Sequence, residues 1–246
     1  GYTQEELVEQ CNINVRTIQR IEAGDVSPRS YTLKAILDVL DFNYEEIFEE
    51  KYLPSKFDAF LGINKDKIYK QLNTAFIFGI IYFVLGFVEV GVEFLDFEKS
   101  YWFKVIYAIV KSVAFISLFF FFKGFVITGG LYRNYLLQIS AFLVIVFTLF
   151  LSFLDIINIY FWEGLEGVLG FSKLITFGVI SIILGVAIKR IESFGGLPKW
   201  TGIIEIITGV CFLVIILSPI GIVTQFIVEI FEIILIYKIA SNLKNN

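Results

Sequence analysis

Histidine and methionine are absent from the 246 residues, and cysteine and proline are scarce, at two and four copies. The lack of histidine removes the commonest general base, the commonest transition-metal ligand and the Ser/His and Cys/His pairings of nucleophilic catalysis. Cys11 stands in a polar segment and Cys211 in an apolar run. Neither has metal-ligand spacing, so no disulfide framework and no zinc site is expected. No catalytic residue, metal or cofactor is expected, and no enzymatic activity. Charge is thin too: 18% of residues are charged, and the formal net charge is −4, well below the charged share of an average soluble domain. No cleavable signal pattern opens the chain. With Gly1 first and no methionine anywhere, the sequence reads as a fragment whose upstream residues are missing.

What the chain has in abundance is apolar surface. Hydrophobic residues make up 57% and aromatics 17% of it, phenylalanine occurs 28 times, and the mean hydropathy is +0.78. The distribution is uneven. Residues 1–50 are polar and helix-patterned, 51–72 are a mixed linker, 73–238 alternate long apolar runs with short polar joints, and 239–246 are a polar tail. A membrane span takes about 20 mostly apolar residues. Runs at 73–95, 103–127, 136–161, 168–188, 201–218 and 220–237 meet or approach that length. The last two adjoin at "SPIG", where Pro219 and Gly221 predict a tight turn or a helical break.

Lysine and arginine favour the cytoplasmic side of membrane joints. They collect in the linker, at Arg133, at Lys189, Arg190 and Lys199, and at Lys238 and Lys244, whereas "DFEKSYW", "FWEGLEG" and "SPIG" carry little net positive charge. The expected topology is therefore six helices with both termini in the cytoplasm. Tyr101, Trp102, Tyr160, Trp162 and Trp200 fall at span ends, where amphipathic rings settle at the headgroup level. Three segments, "GIIYFVLGF" from 79, "GVISIILGV" from 178 and "GIIEIITGV" from 202, each place two glycines seven apart on one helix face. Small residues on a shared face let membrane helices approach closely.

In the polar segment, Thr3 before "QEEL" is a helix start, since its hydroxyl satisfies free N–H groups and the acids suit the helix dipole. That helix runs to about Cys11 with Leu7, Val8 and Cys11 on one face. "NIN" turns, Asn14 caps a second helix whose buried side is Ile18 and Ile21, and Gly24 stops it. A third helix spans about 30–40 with Leu33, Ile36, Leu37 and Leu40 at helical spacing, and "NYEEIFEEK" forms a last short one.

The motifs T-Q-x-x-L at 3–7, I-x-x-I-E-x-G at 18–24 and S-P-x-x-x-T-L at 27–33 make residues 1–50 resemble the Cro and lambda-repressor type of helix-turn-helix family. The resemblance implies that the helix from Val15 is a recognition helix. Val15, Arg16 and Arg20 then face base edges, Asn14 and Thr17 lie near the backbone, and Gln4 holds a phosphate. It also implies a first helix upstream of Gly1, so the expected fold class is all-α: a truncated helix-turn-helix bundle followed by a polytopic transmembrane bundle. Independently of the family, Arg16 and Arg20 are four apart and share a face away from Ile18 and Ile21. Arginine suits the two major-groove acceptors of guanine. Against phosphate attraction, residues 1–49 set Arg16, Arg20, Arg29 and Lys34 against ten carboxylates. Binding by one copy is expected to be weak, and a homodimer would double the contacts.

Ionisable groups also interrupt the apolar runs: Glu89, Glu93, Lys111, Asp155, Glu205, Glu229 and Glu232. A lone charge in hydrocarbon costs several kcal/mol, so such groups pair, snorkel or line a cavity. Glu89 lies about 9 Å and Lys111 about 12 Å from one membrane face at 1.5 Å per residue, a depth at which they can pair. Glu89, Glu93 and Lys111 form the candidate intramembrane polar site. Two functions compete. One is a DNA-binding transcriptional regulator anchored in the bacterial cytoplasmic membrane, whose partners are DNA, the lipid bilayer, a second copy and a small-molecule or lipid signal. The other is a small transporter or ion-conducting protein with a regulatory or partner-binding helix-turn-helix module.

Overall fold

The computed structural model describes residues 2–26, 28, 30–40, 57–94, 101–161 and 164–244. Its compact units are residues 1–53 and residues 54–245. Every regular element among the described residues is helical.

The first unit contains α1 (Gln4–Cys11), α2 (Val15–Glu22) and α3 (Ser30–Val39). Thr3 starts α1 through a reciprocal cap. Its hydroxyl accepts from the Glu6 amide at 3.3 Å, and the Glu6 carboxylate accepts from the Thr3 amide at 2.8 Å. Asn12 ends α1 in the left-handed region at φ 51°, a conformation that asparagine tolerates. Two residues later the Asn14 side chain accepts from the Arg16 amide at 2.9 Å and starts α2. Gly24, at φ 75°, follows the end of α2. Leu7, Cys11 and Ile18 form the core, packed by Val8, Ile13, Ala35, Ile36 and Val39. Ile18 is 2% exposed, Leu37 is buried, and Ile21 and Leu33 are only half-buried. Leu40, expected on the buried stripe, is exposed just past the end of α3. The short helix expected at "NYEEIFEEK" lies outside the described residues.

The second unit opens with α4 (Phe57–Leu61) and a 3₁₀ turn at Lys65–Lys67. The ring of Phe57 stacks on Phe142 at 4.5 Å. Six longer helices follow: α5 (Ile68–Phe94), α6 (Tyr101–Leu131), α7 (Tyr135–Phe161), α8 (Glu166–Ile188), α9 (Leu197–Leu213) and α10 (Ser218–Lys244). Each packs on the next, and α10 packs back on α5, which closes a ring. Phe121, Phe125, Leu137, Leu184, Ile188, Leu235 and Ile236 are fully buried within it. Outward side chains are apolar as well, including Val84, Ile109, Phe150, Val168 and Val223. An apolar exterior of this extent fits hydrocarbon and not water.

Among the described residues, five helices are long and apolar enough to cross a membrane: α5, α6, α7, α8 and α10, two of them counted with an adjoining 3₁₀ turn. The exception is α9. Its 17 residues reach about 25 Å at 1.5 Å per residue, short of the roughly 30 Å hydrocarbon core. The break between the last two expected spans also falls earlier than "SPIG". Helix α9 ends at Leu213, a 3₁₀ turn occupies Ile215–Leu217, and Pro219 sits inside the first turn of α10. Proline is tolerated there because first-turn N–H groups have no helical acceptor.

Glycine sets the α8–α9 approach. A Cβ on Gly178 would stand 3.0 Å from the Gly209 carbonyl oxygen, and one on Gly209 2.6 Å from that of Gly178. Gly185 and Gly202 face each other in the same way. At one end of the ring the Asn134 amide donates to the Ala187 carbonyl at 2.7 Å, and Tyr132 meets Phe194 edge-on at 6.2 Å. The turns bearing Arg133 and Lys189–Arg190 therefore lie together.

Candidate nucleic-acid interface and the charged bundle interior

Helix α2 has an apolar side held by Ile18 and an outer side of polar groups. Arg16 and Arg20 are exposed and form no ion pair among the described residues. Val15 is 36% exposed at the first position of the helix, and Thr17 is half-buried. The spacing of 15, 16 and 20 puts these three side chains on or beside one open face. Asn14 is exposed, but its carbonyl oxygen is committed to the Arg16 amide as the helix cap.

Gln4 is more engaged than expected. Its side-chain amide donates to the Glu22 carboxylate, and its carbonyl oxygen accepts from the Gln19 amide at 3.4 Å. These bonds tie the start of α1 to the last turns of α2, across the turn that sets the angle between them. Glu22 is thus met by Gln4. No pattern within either helix could have paired residues 18 positions apart. The Glu6 carboxyl, bonded by the Thr3 amide and hydroxyl, is held below its ordinary value. Burial pushes the Cys11 thiol up, and that thiol donates to the Ala35 carbonyl at 3.3 Å. A thiol so placed is a packing group and not a nucleophile.

In the bundle, the Lys111 ammonium lies 3.2 Å from Glu89 and 3.6 Å from Asp155, and Asp155 lies 2.7 Å from Lys173. The Tyr107 ring centroid is 5.5 Å from the same ammonium. Four charges on α5, α6, α7 and α8 thus alternate in sign at one level of the ring. The structure brings together Glu89 and Lys111 of the candidate polar site. Glu93 is on α5, and its side chain lies outside the described residues. Asp155 and Lys173 were not assigned to that site. Asp155 was visible as an acid in an apolar run, but its partner emerges only when α7 and α8 pack.

A second set of acids has no cation nearby in this ladder. Glu205, Glu229 and Glu232 are 3%, 5% and 1% exposed. Ser181 bonds Glu205, and the Gln225 amide donates to Glu229 at 3.0 Å. One carboxylate oxygen of each of the three still lacks a hydrogen-bond partner. Among the described residues, no group of three or more Asp, Glu or Cys side chains is placed to hold a metal ion.

No curated protein and no solved structure matches this chain. A family model described as Helix-turn-helix does match residues 1–47. The segment that presents Val15, Arg16 and Arg20 is therefore similar to helix-turn-helix proteins of the Cro/C1 type, and the chain continues into a bundle of apolar helices.

Proposed function

We propose that this chain is a sequence-specific, DNA-binding regulator of transcription anchored in a bacterial cytoplasmic membrane, with both termini in the cytoplasm and a homodimer as the DNA-binding form. One observation carries the reading: an exposed arginine face, unpaired among the described residues, on the second helix of a helix-turn-helix, in a chain that continues into helices long enough to span a membrane. Arg16 and Arg20 read base edges, Val15 supplies an apolar contact, and Thr17 with the N-terminus of α2 meets phosphate. The role of Gln4 is to hold the α1–α2 angle through Glu22. The cationic turns at Arg133 and Lys189–Arg190 support a cytoplasmic reading of that end of the bundle.

The test is DNA capture by purified full-length protein in lipid nanodiscs, followed as a function of salt. Wild type is expected to retain a limited set of genomic fragments, with affinity falling steeply as salt rises. The variant carrying Arg16→Ala and Arg20→Ala is expected to retain none of them. Equal retention by wild type and variant would remove the assignment of α2.

The closed ring and its buried charges favour one second reading, a transporter or ion-conducting bundle that the helix-turn-helix regulates. Solute flux into vesicles that changes on Glu89→Gln would favour it, and unchanged flux would dismiss Glu89 from such a role.

A further inference from the structure

A cavity of about 180 Å³ lies inside the ring, lined by residues from all six helices α5 to α10. Its polar groups are Tyr82, Ser181, Gln225, Glu205 and Glu229, and no lysine or arginine lines it. Phe122, Phe177 and Phe212 supply aromatic walls.

The two carboxylates are the anomaly. Both are more than nine-tenths buried, and each keeps an oxygen, Oε2, without a hydrogen-bond partner. Glu232, one turn from Glu229 on α10, adds a third orphan oxygen. Elsewhere in the bundle buried acids are compensated, as Asp155 is by two lysines. Burying a carboxylate with neither counter-ion nor full hydrogen bonding costs several kcal/mol, so this arrangement is poised for a guest that supplies positive charge and N–H donors.

The walls decide what kind of guest. A metal ion takes several oxygen, nitrogen or sulfur ligands at short range, and the described residues contain no such group. Aromatic faces attract an ammonium group by their quadrupoles, and apolar walls accept a hydrocarbon body. The volume is below the roughly 300–1,000 Å³ of sites for drug-sized ligands, which limits that body to a short chain.

We propose that the central cavity binds a small organic ammonium ion, with Glu205 and Glu229 accepting hydrogen bonds from its N–H groups and the phenylalanine rings enclosing its apolar part. The site stands independently of the DNA-binding reading. If that reading holds, the amine is the signal that the bundle transmits.

The test uses the full-length chain in detergent or nanodiscs without DNA, so its failure is distinct from failure of DNA binding. Hexylammonium is the probe, with hexanol, sodium and calcium as comparisons. Calorimetry is expected to show saturable binding of hexylammonium alone. Glu205→Gln and Glu229→Gln are each expected to weaken it at least tenfold, while Glu192→Gln, at an exposed loop carboxylate, leaves it unchanged. Wild-type protein gives a second readout that needs no variant: hexylammonium is expected to protect Glu205 and Glu229 from a lipophilic carbodiimide, as read by mass spectrometry. Equal binding of hexanol, saturable binding of calcium in place of the amine, full affinity in both glutamine variants, or no protection would overturn the proposal.

Discussion

Thr3 and Glu6 show how much a few adjacent residues settle. The hydroxyl before an acidic turn predicts a helix start from the sequence alone, and the structure closes that cap in both directions. The Glu6 carboxyl is held below its ordinary 4.5 by Thr3. A carboxyl lowered in the folded chain stabilises it fully above the unfolded value, and the contribution is lost as pH falls through the folded one. Carbon NMR of the full chain labelled at glutamate is expected to place the Glu6 midpoint below the ordinary 4.5. Thr3→Ala is expected to bring it part of the way back, because the backbone amide of residue 3, the larger cause, stays in place, and an unchanged midpoint would show that the Thr3 hydroxyl contributes nothing. Asn14 and Ile18 were equally legible, because cap and core positions are written within one turn of sequence. The Gln4–Glu22 bond was not, because it depends on the angle at which α1 meets α2.

Among the elements, α8 and α9 carry the most specific sequence signal. Glycines seven residues apart in "GVISIILGV" and "GIIEIITGV" predict close helix approach, and the structure sets Gly178 against Gly209 and Gly185 against Gly202. Gly185→Val places side-chain atoms against the Gly202 carbonyl and Ile206, an overpacking that costs about 1–3 kcal/mol or more. Thermal unfolding in detergent is expected to show a clearly lowered midpoint for this variant. Gly170→Ala, where a Cβ meets open space, should leave it unchanged, and equal effects at the two positions would contradict the packing. The ends of the elements were less legible than their existence. Pro219 marked a break in the sequence, yet it fits inside the first turn of α10, and α9 stops short of a full span because the chain turns at Val214.

For the whole molecule, the decisive feature is the ring, and ring closure cannot be read from hydropathy. The depths of Glu89 and Lys111 could be counted from span ends, so their pairing was accessible; the approach of α10 to α5 and the alternating ladder through Asp155 and Lys173 required the fold. Lys111 compensates two acids across three helices. Replacing one partner of a buried pair typically costs about 3–5 kcal/mol, an upper range here because Glu89 keeps partial exposure. Lys111→Met is expected to lower unfolding stability in detergent by a few kcal/mol, with part of the loss restored when Glu89→Gln is added. Stability unchanged from wild type would show that the ladder is not what joins these helices.

In the function proposed above, one chain reads DNA from a membrane. Crosslinking of tagged full-length protein to DNA in cells, followed by isolation of the membrane fraction and sequencing of the attached fragments, tests it most directly. The expected result is a small set of fragments enriched with wild type and lost when Arg16→Ala and Arg20→Ala are combined. No enrichment above background from the membrane fraction, or enrichment that survives both substitutions, would contradict it.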